Sequence, residues 1–116
     1  MPEYKFRPGA DAEISLEEAT DGAGEPKAFN DSRQVNWLVE GAGTIDAGVV
    51  KIESAHDPNY AGIWNELDSI DAVTLTGGKL YGNTYPMPPG GFVRGRIDDP
   101  ITGGGTITVR LNGYLS

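Results

Sequence analysis

His56 is the only histidine in the chain, and it lies two residues after Ser54 and directly before Asp57. The first chemistry to weigh is therefore nucleophilic hydrolysis. A serine–histidine–carboxylate system needs three side chains converging around a nucleophile on a strained turn. Three near-neighbours in one loop cannot converge that way, so His56 reads as an exposed loop residue. Asp68 with Asp71, and Asp98 with Asp99, offer oxygens of the kind calcium takes, but neither pair fits a known calcium-loop spacing. Glycoside hydrolysis needs two carboxylates at a set separation across a cleft, one in an apolar pocket that raises its pKa. No segment signals that arrangement. Gly103-Gly104-Gly105 runs into Thr-Ile-Thr-Val, a strand pattern, whereas a phosphate loop opens a helix and ends in lysine. No catalytic residue, metal site or cofactor is expected, and the chain does not read as an enzyme.

Binding chemistry is better represented. Trp37, Trp64, Tyr60, Tyr81, Tyr85 and Tyr114 are aromatics of the kind that form flat platforms for sugar rings, with Tyr60 and Trp64 the pair best placed to do so. The competing expectation makes the two tryptophans core anchors, one per sheet. Arginine supplies the second pattern. Phe92, Arg94 and Arg96 alternate with Val93, Gly95 and Ile97, while Thr106, Thr108 and Arg110 alternate with Ile107, Val109 and Leu111. Paired as an antiparallel hairpin, these runs would project Arg94, Arg96 and Arg110 from one sheet face. That face would dock an acidic surface, or it would hold ordinary cross-strand pairs with Asp98, Asp99 or Glu53.

The elements that must position these residues are strands. Val35, Trp37 and Val39 alternate with Asn36, Leu38 and Glu40; Thr44 to Glu53 follows, with Val50 and Ile52 on one face and Gly48 marking a bulge or close backbone approach. The spacing predicts further strands over 60–67, 70–75, 79–85, 92–97 and 106–115. Loops are expected at 57–59, 86–89 and 98–105. Short strands with turns every eight to twelve residues predict an all-β protein, a small antiparallel β-sandwich of jelly-roll-like form, with residues 34–67 as a meander. Glycine, the commonest residue at 17, supplies turns rather than a collagen period.

Composition sets the remaining bounds. A chain of 116 residues makes one modest core. It has no cysteine, so packing or assembly must stabilise it. The net charge of −8 disfavours nucleic acid and anionic membrane as partners, and no segment has the apolar length of a transmembrane helix or the form of a signal peptide. A soluble protein, made where it is used or released by lysis, is expected. Residues 1–31 alone carry −5 of the charge, together with three prolines. Residues 1–33 therefore read as an extended acidic N-terminal arm, and residues 34–116 as the sandwich domain. Within the arm, Ile14 and Leu16 alternate with Glu13, Ser15 and Glu17 as a strand would, and the arm as a whole is expected to order only on assembly.

The succession Trp37-Leu38-Val39-Glu40-Gly41, Gly48 to Ser54, Asp57, Trp64-Asn65-Glu66-Leu67, Gly91 to Ile97 and Gly104 to Leu111 resembles the small β-sandwich proteins of tailed-bacteriophage virions, most of all head decoration (cement) proteins. The resemblance covers residues 34 to 115 and implies a non-enzymatic structural protein on the capsid surface. Its implied partners are the major capsid protein and copies of itself, as dimer or trimer. An N-terminal arm suits that role, because cement proteins often staple neighbouring subunits with one. The alternative is a carbohydrate-binding or adhesion module of a phage tail or other virion surface, with Tyr60 and Trp64 as its platform.

Overall fold

The computed structural model describes residues 13–28, 34–86 and 91–114. Among these described residues eight strands form: β1 (Glu13–Ala19), β2 (Gly22–Ala23), β3 (Gln34–Ala42), β4 (Ala47–Ala55), β5 (Asn65–Asp71), β6 (Leu80–Pro86), β7 (Phe92–Thr102) and β8 (Thr106–Tyr114). One 3₁₀ turn, Ala72–Leu75, separates β5 from β6.

Their pairing has a simple logic. β1 pairs with β8, β2 with β7, β3 with β6 and β4 with β5, all antiparallel. The chain is thus a long ribbon doubled back between β4 and β5 and then rolled up. Rolling brings β3 against β8 and β4 against β7, which completes two four-stranded sheets in the orders β1-β8-β3-β6 and β2-β7-β4-β5. This is a jelly-roll sandwich.

Period-two alternation puts the core between the layers. Val35, Trp37 and Val39 of β3 and Ile107, Val109 and Leu111 of β8 face Val50 and Ile52 of β4 and Val93 and Ile97 of β7, all essentially buried. Each such side chain contributes about 1.5–3 kcal/mol. Gly48 lies at a register shift between β4 and β7 with φ +140°, and a Cβ there would collide with Ile101. It is both the bulge and the close approach expected of it.

Several expectations are corrected. Residues 34–67 are not a meander, because β3 and β4 lie in opposite sheets. The chain crosses at Gly43–Asp46, where Ile45 is buried and its N–H donates to the Thr76 hydroxyl at 2.9 Å. The runs 60–67 and 70–75 give one strand, β5, because the Asp71 carboxylate accepts from Val73 N–H at 3.1 Å and caps the 3₁₀ turn. The expected loop at 98–105 is strand as far as Thr102.

The acidic N-terminal segment is also partly sandwich. β1 and β2 are edge strands, one in each sheet, and Lys27 bridges to Val93. Ser15 fixes them: its hydroxyl donates to Glu25 O at 2.9 Å and accepts from Gly95 N–H of the other sheet at 3.0 Å. Residues 13–27 thus find their strand partners within this chain. Residues 1–12 and 29–33 lie outside the described residues.

Candidate functional site

The charged residues of β4, β5 and β7 form an alternating lattice on the outer face of the β2-β7-β4-β5 sheet. Glu53 stands directly opposite Arg94, and Lys51 opposite Arg96. Glu53 points away from the core yet is only 2% exposed, because arginine side chains close over it. Arg94 donates to its Oε1 through Nε at 2.9 Å and approaches it through Nη2 at 2.8 Å, and Arg96 Nε donates to the same oxygen at 3.0 Å. Arg96 Nη1 reaches Asp98 at 2.8 Å, and Lys51 ties Glu66 at 2.9 Å to Asp98 at 3.5 Å. Among the described residues, Oε2 of Glu53, Nη1 of Arg94 and Nη2 of Arg96 have no hydrogen-bond partner.

The loop between β4 and β5 walls this cluster. Asp57 starts it as an Asx turn, accepting from Asn59 N–H at 2.8 Å. Tyr60 then folds back, and its carbonyl accepts the Trp64 indole N–H at 2.9 Å. A Cβ at Gly62 would strike the Tyr60 ring, so glycine lets this loop close. Arg94 lies over the Trp64 ring, 3.9 Å from guanidinium carbon to ring centroid, in a cation–π contact. Ile63, between Gly62 and Trp64 in sequence, is 93% exposed. Glu53, Gly62, Ile63, Trp64, Arg94 and Arg96 line a recess of about 290 Å³.

The expected sites are thus partly gathered and partly scattered. Arg94, Arg96 and Trp64 meet at the recess, and Tyr60 stands at its loop. Arg110 does not join them, because β7 and β8 lie in opposite sheets. It projects from the other outer face, where its Nη1 holds Glu40 at 2.9 Å. The single three-arginine face is therefore corrected: Arg94 and Arg96 pair across strands with Glu53, and Arg96 also pairs along its own strand with Asp98. Tyr60 and Trp64 do not form an open platform either, since the indole is buried beneath Arg94. Of the two tryptophans only Trp37 belongs to the core.

Ser54 is buried, whereas His56 and Asp57 are exposed, with the His56 ring 5.1 Å from that of Tyr60. Among the described residues no cluster of three or more metal-ligating side chains occurs. Asp68 serves a different purpose. It accepts from the Tyr81 hydroxyl at 2.8 Å and from the Tyr85 hydroxyl, which joins β5 to β6 across an open side of the sandwich. Burial pushes its carboxyl up, but the hydrogen bonds from Tyr85, Tyr81 and the Ser69 N–H outweigh that and hold it below the ordinary carboxylate range. Burial and the adjacent Asp68 raise Tyr85 well above the ordinary phenol range.

Glu53 and Ile63 carry the site and were not singled out as site residues from the sequence. The signal for Glu53 was its in-phase position opposite the arginine run. Ile63 was hidden by the apolar stretch that reads as strand. No family model matches this chain, and no curated protein matches it. Among solved structures, it is similar to the K3 cleaved adhesin domain of Lys-gingipain from Porphyromonas gingivalis w83, at 12% identity and a TM-score of 0.49, over 89% of this chain and 68% of that one. Chains this far apart need share no activity, since one fold hosts many functions.

Proposed function

We propose that this chain is a non-enzymatic binding module that attaches to a larger assembly through the outer face of the β2-β7-β4-β5 sheet. The Glu53 recess carries this reading. An isoleucine that is 93% exposed stands beside two arginine forks, a buried carboxylate and a tryptophan. Arginine and tryptophan are the residues that dominate interface energetics, and interfaces place apolar groups where an open surface would leave them wet.

The setting we propose is the capsid surface of a tailed bacteriophage, where the chain decorates and reinforces the shell. The sequence resemblance supports it, as does a jelly-roll fold that recurs in viral capsid proteins. Its partners are then the major capsid protein and other copies of the chain. Quantifying this chain in purified particles tests the setting, and Ile63→Asp tests the face. We expect copies on the order of the capsid lattice, and lowered occupancy for the variant at an unchanged thermal midpoint. A few copies per particle would overturn the capsid setting, and unaltered occupancy of the variant would overturn the face.

A carbohydrate-binding or adhesion module is the second reading. It is favoured by the recess itself, a polar hollow with Trp64 in its wall and Tyr60 in the same loop. Jelly rolls also recur in lectins.

A further inference from the structure

We propose that the Glu53 recess binds one carboxylate-bearing sugar residue, of the uronic or sialic acid class, as a terminal or branch unit of an acidic glycan. This rests on the binding-face reading above, but not on where the module is mounted.

Charge, hydrogen-bonding capacity and size lead to the same ligand. Two guanidinium groups and one carboxylate line the recess in a chain of net charge −8, and Asp98 takes up one nitrogen of Arg96. All the bonds between these groups end on one oxygen of Glu53. A purely structural cluster would be expected to use both carboxylate oxygens in bidentate pairs. The remaining Nη groups of Arg94 and Arg96 can donate to an incoming carboxylate, and Oε2 of Glu53 can accept from a hydroxyl.

That mixture separates the possible occupants. An aspartate or glutamate side chain of a partner protein would use the arginines but bring no hydroxyl donor for Glu53. A neutral sugar would use Glu53 and leave the guanidinium groups without an anion. An acidic sugar supplies both, and its C–H face has the exposed Ile63 side chain to pack on. The volume of about 290 Å³ falls at the lower edge of ligand pockets, room for one ring and not for a strand or helix.

The chain has two tryptophans, so its indole N–H resonances can be told apart by NMR. Trp37 is fully buried, and the Trp64 N–H donates to Tyr60 O in the wall of the recess. Titration with a methyl glucuronide or a methyl sialoside should shift the Trp64 signal and leave that of Trp37 in place. At least one of these acids should bind about tenfold tighter than methyl glucoside. Arg94→Lys keeps a cation near Glu53 but loses the fork, and it should weaken acid binding by about tenfold. Ile63→Asp alters an exposed position, so it should fold normally; its new carboxylate should weaken binding of the acidic sugars more than that of the glucoside.

Absence of any shift at millimolar acidic sugar would overturn the proposal. Equal affinity for glucuronide and glucoside would overturn it too, as would a glutamate-rich peptide binding as tightly as either acid. The binding-face reading fails separately, if Ile63→Asp leaves attachment to the particle unaltered whatever the sugar titrations give.

Discussion

Glu53 decides what the arginines beside it can do. A carboxylate 2% exposed is tolerable because three guanidinium nitrogens hold it. Removing those cations strands a buried charge, which costs far more than losing a pair on open surface. We expect Arg94→Ala with Arg96→Ala to lower stability by about 3 kcal/mol, and Glu53→Gln added to that pair to recover part of the loss. Urea denaturation of the two variants checks this, and an unaltered midpoint in the double variant would make the arginines ordinary surface charges. Alternation along residues 92–97 was enough to place Arg94 and Arg96 on one face in the sequence. The burial of Glu53 was not legible there, because period two assigns it to the solvent side and only the closing of the Arg94 and Arg96 side chains over it buries it.

At the level of elements, the sequence was most readable where one face is core and the other solvent. β3 and β8 follow such alternation and were placed almost to the residue. β7 was cut short because Asp98-Asp99-Pro100 reads as a loop. Proline fits there because it falls opposite Gly48 at the register shift, where no ladder donor is required. Which strands share a sheet was beyond local pattern, since that follows from how the ribbon rolls. The N-terminal segment shows how a polar stretch joins a sandwich: it makes edges, which need less apolar surface than central strands, and Ser15 stitches them across the layers. Ser15→Ala would leave the Gly95 N–H without its side-chain acceptor. We expect a loss of about 1–3 kcal/mol, measured as a shift in thermal midpoint. Limited proteolysis of the free protein should leave a fragment that begins at or before residue 13. Trimming to the neighbourhood of Arg33 would show that these edges do not hold in isolation.

For the whole molecule, rolling a ribbon into two sheets leaves two sides where the strand pairing of each sheet ends. Side chains close both: Ser15 with Gly95 and Glu25 on one side, and Asp68 with Tyr81 and Tyr85 on the other. The second closure turns on a hydrogen-bonded carboxylate, so it should respond to acid. The Asp68 carboxyl is held below its ordinary range in the folded state. Its contribution is therefore complete above the unfolded value of about 3.9 and is lost as pH falls through the lower folded value. At neutral pH we expect Asp68→Asn to cost about 1–2 kcal/mol, at the low end for hydrogen bonds to a charged acceptor because the site is partly exposed. Thermal midpoints of the two proteins should converge as the pH is taken below about 4, since the wild type then loses what the variant already lacks. A midpoint difference that stayed constant through that acid range would mean that the two tyrosines hold the side through packing on Trp37, whose ring Tyr81 meets edge-on at 5.9 Å, and not through the carboxylate.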